Sequence, residues 1–259
     1  MSGKKYLFFD IDGTLAAGGY AATFIPDSTR EALKKLREAG HFTCIATGRA
    51  EALANPVMHE LGFDNMISDG GWGLTIEGKF LGVRPLPKDQ VIELIKECKE
   101  QGFPWGLQTD NSDTRLVPDG RFEAFTGDSY IKSKIVPDLD PADYENIYKA
   151  YIACLTGEEQ RLSMLKILPW GRYHHHYLFV EPSDKAGGIR EVMEHFHGDL
   201  KDVIVFGDTV NDLSMFRDEW TNVAMGNADE ELKKHADLVT TDVDKDGIWN
   251  ACLELNLFS

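Results

Sequence analysis

The fold is decided by Tyr6-Leu7-Phe8-Phe9-Asp10-Ile11-Asp12-Gly13-Thr14. Its four apolar residues form an unbroken run, the pattern of a strand buried on both faces in a parallel sheet. Two carboxylates, a glycine and a hydroxyl follow at once. In an open α/β sheet, ligands sit beyond the carboxyl ends of the strands, which is where this run places Asp10 and Asp12. Two acids in a turn are usually no more than solvated, so the reading depends on the rest of the chain.

Three further segments have the same character. The apolar run 42–46 ends at Thr47-Gly48-Arg49, and Lys185 stands at the head of a helical stretch over 186–196. The run 203–206 ends at Gly207-Asp208-Thr209-Val210-Asn211-Asp212. Early in the chain, Ser28-x-x-Glu31 reads as a capping box. Ala32, Leu33, Leu36 and Ala39 follow at helical spacing, with Gly40 as the stop. A helix over 50–61 and a strand over 65–68 come next. Near the other end, strands over 222–225 and 237–241 flank a helix over 229–235. This alternation predicts an α/β fold, a Rossmann-like open parallel sheet.

The middle of the chain breaks the rhythm. Val91, Leu94, Ile95 and Cys98 mark an amphipathic helix that ends at Gly102. Strand-like runs follow at 105–109 and 115–118, then a polar, irregular stretch to about 145. A strand at 148–155, a helix at 158–168 and a strand at 173–180 complete it. The expected organisation is a core of 1–82 and 181–259 with an inserted α+β cap of 83–180. Gly82-Val83-Arg84-Pro85 and Glu181-Pro182-Ser183 would be the hinges. A cap of this kind would exclude water and select a substrate.

These residues suit phosphoryl chemistry. A phosphate monoester is close to dianionic at neutral pH, and an attacking aspartate is negative as well. At an effective dielectric of about 20, each like-charge pair 4 Å apart costs roughly 4 kcal/mol, so attack by Asp10 first needs countercharge. Mg²⁺ takes oxygen ligands from one or two carboxylates, phosphate and water. Asp10 and Asp208 could supply the carboxylates, and Lys185 a fixed positive charge. Thr47 Oγ1 and the amides after it, from Gly48 on, could donate to the transferring oxygens. Two residues along an extended chain, Asp12 returns to the face of Asp10 and could serve as acid, then base. The route through an aspartyl-phosphate is an established one. Capping alone is the plainer role for Thr47, Asp208, Asn211 and Asp212, and a Lys at a helix start is usually solvated. Their order along one chain favours the chemical reading.

Composition narrows the classes. At 259 residues, 42% hydrophobic and 27% charged, the chain reads as soluble and globular. No apolar run approaches the roughly 20 residues of a membrane span, and residues 1–5 lead straight into a strand without a signal-peptide core. Both argue against an ion-pumping ATPase, which also uses an aspartyl-phosphate. Cys44, Cys98, Cys154 and Cys252 are widely spaced, so reduced buried thiols in a cytoplasmic protein are expected. A net charge of −16 disfavours nucleic acid, which requires a basic footprint. A small anionic substrate answers to local cations instead, because distant charges are screened. The oligomeric state is not legible. His174-His175-His176 invites a metal reading, but successive strand residues point to opposite faces, which argues against one shared ion. Trp105 and Arg115 read as core or surface, with substrate contact the bolder option.

Taken together, these motifs resemble a haloacid-dehalogenase-superfamily phosphatase of the Cof type (class IIB, C2 cap). The resemblance spans nearly the whole chain and includes Ala224-Met-Gly-Asn-Ala, Ala236-Asp237 and Asp246-Gly247. It implies Asp10 as nucleophile, Asp12 as acid/base, and Thr47 and Lys185 holding the phosphoryl group. It implies Mg²⁺ on Asp10, the Asp12 backbone carbonyl and Asp208. Asn211 would lie near phosphate, and Asp212 would orient Lys185 or a metal-bound water. Asp69-Gly70 stands where the family often has Asn-Gly, so position 69 is left out of the site, and Ala186 replaces a usual Gly after the lysine. The superfamily's dehalogenases lack the second motif-one Asp, so Asp12 favours phosphate over carbon–halogen chemistry. The expected activity is Mg²⁺-dependent hydrolysis of a small phosphorylated metabolite, sugar phosphates leading. The rivals are a phosphomutase or phosphotransferase on this scaffold, and a phospholigand-binding protein without catalysis.

Overall fold

The computed structural model describes residues 3–18, 24–128 and 131–258. From the amino end the elements are β1 (Tyr6–Phe9), α1 (Asp27–Glu38), β2 (Phe42–Ala46), α2 (Glu51–Leu61), β3 (Met66–Ser68), β4 (Gly73–Ile76) and β5 (Lys79–Val83). Next come α3 (Lys88–Gln101), β6 (Trp105–Gln108), β7 (Thr114–Val117), α4 (Arg121–Thr126), β8 (Lys132–Ile135), β9 (Lys149–Ala153), β10 (Trp170–His174) and β11 (Tyr177–Val180). The chain ends with α5 (Lys185–His195), β12 (Val203–Gly207), β13 (Thr221–Ala224), α6 (Glu230–Lys233), β14 (Leu238–Val239) and α7 (Gly247–Glu254). Contacts divide it into two units. The first is Met1–Arg49, Ala54–Gly82 and Asp184–Ser259; the second is Ala50–Leu53 with Val83–Ser183.

The first unit is an α/β sheet in the order β14-β13-β12-β1-β2-β3-β4-β5. Pairing is parallel from β14 to β3, and β4 joins β3 antiparallel. Alternation along β1 explains its unbroken apolar run. Leu7 and Phe9 pack with Leu33, Leu36, Met58 and Ile248 on one face, while Tyr6 and Phe8 pack with Ile189 and Val192 on the other. From the β1–β12 pair the strand order runs outward both ways. Such a switch point leaves a crevice beyond the carboxyl ends of the two strands, and Asp10 and Asp208 follow those strands directly.

Several local expectations give way to stronger forces. Helix α1 begins at Asp27 after Pro26, whose φ of −58° already suits a helix start, and no side chain caps it. Ser28-x-x-Glu31 is therefore not a capping box, and Ala39 is exposed past the helix end. After β3 the chain forms a β4–β5 hairpin that turns at Glu77-Gly78, where φ is 50° and 75°, the geometry of a type I′ turn. The stretch expected to be irregular up to 145 holds α4 and β8. The helix expected at 158–168 is two 3₁₀ turns separated by extended Leu162. Glu97 of α3 accepts from the Met164 amide at 3.1 Å and from the Ser163 hydroxyl, so the amide that would continue the helix is taken. The run 173–180 belongs to a hairpin rather than one strand. His175 and His176 occupy its exposed turn, and His174 is the one of the three on a strand. The side chain of His174 lies outside the described residues.

The second unit carries a six-stranded sheet, β10-β11-β9-β6-β7-β8, antiparallel apart from β7–β8. Trp105 and Arg115 are both buried in it. Arg115 donates to Asp128 at 2.6 Å and to Ser133 at 2.8 Å, and its guanidinium lies 4.2 Å from the Phe122 ring centre. Breaking a buried pair costs about 3–5 kcal/mol, whereas replacing both partners with apolar residues is often neutral. Arg115→Met should therefore lower stability by about that much in urea unfolding, and adding Asp128→Leu should restore most of it. An unchanged midpoint for Arg115→Met would remove this structural role.

Candidate active site

Parallel pairing of β1 with β12 sets Phe9 opposite Phe206, and the Asp10 amide donates to the Phe206 carbonyl at 3.0 Å. After β12 the chain turns into a single 3₁₀ helix, Val210–Ser214, opened by a Thr209–Asp212 capping box. The Asp212 Oδ2 accepts from the amides of Asp208 and Thr209 at 2.9 and 3.1 Å. Its Oδ1 accepts from Lys185 Nζ at 2.6 Å, and the same ammonium donates to Asp10 Oδ1 at 2.7 Å. Lys185 is the first residue of α5, whose N-cap Asp184 accepts from the Gly187 amide at 3.0 Å. Lys185 is 2% exposed and Asp212 not at all. Carboxylate oxygens of Asp10, Asp208 and Asp212 lie within 4.8 Å of one another.

Three carboxylates against one ammonium leave two uncompensated negative charges if all are ionised. The acids respond accordingly. Burial raises Asp10 to about 7 against the pull of Lys185, with Asp212 adding to the rise. Burial, then Asp10 and Asp212, raises Asp208 to about 9. Burial alone would lower the Lys185 ammonium, but the carboxylates of Asp10 and Asp212 outweigh it and hold the pKa up.

Hard oxygen donors with excess negative charge fit a divalent cation such as Mg²⁺. Both oxygens of Asp212 are already occupied, which leaves Asp10 and Asp208 as the carboxylates best placed to take it. Gly13 makes this arrangement possible. Its φ is +81°, and a Cβ there would stand 1.9 Å from Asp208 Oδ2, so no larger residue lets the β1 loop cross that carboxylate.

Asp12 departs from expectation. The chain leaves the extended conformation at Ile11, whose carbonyl accepts from the Leu15 and Ala16 amides at 3.0 and 2.9 Å. Strand parity therefore does not aim Asp12. Its two carboxylate oxygens are gripped by Arg49, Nε to Oδ2 at 2.8 Å and Nη2 to Oδ1 at 2.5 Å. Sequence reasoning overlooked this role for Arg49, although a planar two-pronged donor beside Thr47 was a signal for it.

Thr47 is buried, and its Oγ1 accepts from the Arg49 amide at 3.1 Å. Its own hydroxyl proton can then point elsewhere, but the Arg49 amide, expected to serve a ligand, is used internally. Gly48 is partly exposed, with nothing within 4 Å of where a Cβ would stand. The Asn211 Oδ1 accepts from the Thr209 hydroxyl, so its side chain is held within its own turn rather than by the Lys185 cluster. All four cysteines are buried and free.

Comparison with known proteins agrees with this geometry. The profile of haloacid dehalogenase-like hydrolases matches residues 7–252. YkrA of Bacillus subtilis (strain 168), named as a candidate phosphatase, is 35% identical over 258 residues, 98% of each chain. Pyridoxal phosphate phosphatase YbhA of Escherichia coli (strain K12) is 25% identical, covering 94% of this chain and 96% of its own. The structure of the subclass IIB sugar phosphatase BT4131 superposes with a TM-score of 0.79 at 28% identity, covering 98% of this chain and all of the other. The chain belongs to the haloacid dehalogenase-like hydrolases, in their Cof-type branch. It is a phosphatase acting on a phosphorylated substrate. Among the described residues, no helix is long and apolar enough to cross a membrane.

Linkage gives the acids a measurable signature. Without a cation, each contributes stability that is full below its unfolded value near 4. That stability is lost as pH rises through about 7 for Asp10 and about 9 for Asp208. Adding Mg²⁺ at pH 7 should therefore release protons and raise the melting temperature more at pH 8 than at pH 6. Calorimetry in buffers of different ionisation enthalpy reads the release directly. Heats independent of buffer would mean that no acid titrates on binding.

Proposed function

We propose that this chain is a Mg²⁺-dependent phosphatase of small phosphorylated metabolites, sugar phosphates first, acting through an aspartyl-phosphate on Asp10. The observation that carries the reading is the buried Asp10–Lys185 pair beside Asp208: a nucleophile held in place where countercharge is already partly supplied. Asp10, Asp208 and the Asp12 backbone carbonyl would hold Mg²⁺, which when bound offsets the charge of phosphate and carboxylates.

This chain's own groups divide the remaining work. Two of the three Lys185 N–H donors orient Asp10 and Asp212, and the third serves a phosphoryl oxygen, as does the Thr47 hydroxyl. Asp10 attacks phosphorus as the ester oxygen departs, and Asp12 gives that oxygen a proton. A water then gives a proton to Asp12 and attacks phosphorus, restoring the Asp10 carboxylate and releasing inorganic phosphate. Asp12 has to exchange Arg49 for the departing oxygen to do this. Asn211 would lie near the phosphoryl group. We assign substrate choice to the second unit as a cap, and the cytoplasm as the compartment. The sugar-phosphate preference rests on kinship with a sugar phosphatase, and a pyridoxal phosphate phosphatase among the relatives makes that compound the first competitor.

A phosphate-release screen with Mg²⁺ across sugar phosphates, nucleotides and cofactor phosphates tests the reading. Release without any acceptor separates hydrolysis from phosphoryl exchange. Asp10→Asn should abolish turnover, and Asp12→Ala should slow it about 10²–10⁴-fold, with phosphate retained on the protein in acid-quenched samples. Full activity in Asp10→Asn would end the proposal.

A further inference from the structure

Thr47, just after strand β2, and Lys185, at the head of helix α5, are 138 positions apart, yet both must meet one phosphoryl group. A single buried turn, Asp69–Gly71, grips the backbone of both segments. On one side, its Asp69 amide donates to the Arg49 carbonyl at 2.8 Å and its Gly70 amide to the Thr47 carbonyl at 3.2 Å. On the other, its Gly70 carbonyl accepts from the Asp184 amide at 2.7 Å. One peptide neighbourhood thus ties the loop carrying the Thr47 hydroxyl to the residue immediately before Lys185.

The packing is as close as backbone allows. A Cβ on Gly71, where φ is +115°, would lie 2.1 Å from the Asp184 carbonyl oxygen and 2.9 Å from the Lys185 nitrogen. Helix α5 returns the contact: a Cβ on Gly188 would meet Ile67 Cγ2 at 2.6 Å and the Gly71 carbonyl oxygen at 3.1 Å. Asp69 itself takes φ +51°, a conformation uncommon outside glycine. The close approaches of Gly71 and Gly188 are to the Asp184–Lys185 backbone, to Ile67 and to each other. Their effect has to pass through the chain they position.

We propose that Asp69–Gly71 is a positioning bracket that sets the separation of the Thr47 hydroxyl and the Lys185 ammonium. Gly71, with Gly188 behind it, is its adjustable joint. This rests on the phosphatase reading above, in which those two groups hold the phosphoryl oxygens. Small displacements matter because donors act on a charge that develops only at defined positions. The bracket's contribution is thus expected in turnover rather than in recognition of the rest of the substrate.

The test uses the full chain with its best substrate from the phosphate-release screen. Gly71→Ala should lower kcat at least tenfold and weaken inhibition by inorganic phosphate in parallel, while KM changes less than threefold. Gly188→Ala, whose nearest conflict is a side-chain methyl, should give a smaller loss in the same direction. Gly78→Ala is the control: its φ is +75° and its surroundings are open, so it strains the backbone at the β4–β5 turn rather than at the bracket. It should lower the melting temperature with kcat unchanged. A folded Gly71→Ala, or a folded Gly188→Ala if the former does not fold, with kcat within twofold of the parent overturns the bracket. So does a kcat loss in Gly78→Ala equal to theirs, which would trace the effect to stability. A parent protein without turnover on any substrate would instead strike at the phosphatase reading itself.

Discussion

Three buried carboxylates crowd around one ammonium at the ends of two neighbouring strands, and the rest of the structure answers to that repulsion. Like charges about 4 Å apart at an effective dielectric near 20 oppose each other by roughly 4 kcal/mol. A folding chain would ordinarily avoid such a cluster. Here Asp212 is tolerated because two backbone amides and Lys185 satisfy both its oxygens. Asp10 is tolerated because the same ammonium reaches it. Asp208 has the least compensation and shows it most, its acid held well into the alkaline range. The site gathers acids whose charge a bound divalent cation can balance, and phosphoryl transfer draws on positioned charge of this kind.

The frame is the parallel sheet. Asp10 and Lys185 are 175 residues apart, and no local rule could bring them together. Pairing of β1 with β12 sets Asp10 beside Asp208 and Asp212, and α5, packed on the sheet through Ile189 and Val192, brings Lys185 to Asp10 and Asp212. Glycines then let the loops close on the acids. Gly13 lies against Asp208 without room for a methyl group, and the turn after β3 fits against the start of α5 just as tightly. The second unit, built on its own sheet, carries other buried ion pairs, such as Lys149 with Glu181 at 2.7 Å.

Much of this was legible in the residues. The apolar runs of β1, β2 and β12, followed in each case by polar chemistry, marked both the α/β class and the positions of Asp10, Thr47 and Asp208. The helix at Lys185 and the stop at Gly102 were legible for the same reason: periodicity and turn chemistry are local. Failures came where distant partners decided. Glu97 breaks the helix expected at 158–168 by taking an amide, and the β4–β5 hairpin forms at a sheet edge that leaves its apolar Phe80 and Leu81 exposed. The aim of Asp12 is set by Arg49 and not by strand parity. The Arg49 amide, expected to face a ligand, is spent on Thr47.

Sequence alone determined which groups are present, their order, and the strands and helices that carry them, since burial periodicity and turn preferences act over a few residues. Only the tertiary structure decided how those groups are paired. Lys185 is shared between Asp10 and Asp212, Asp12 is held by Arg49, and Asp69–Gly71 binds two remote segments together. Pairing depends on distance and on what else is buried nearby, and a linear pattern contains neither.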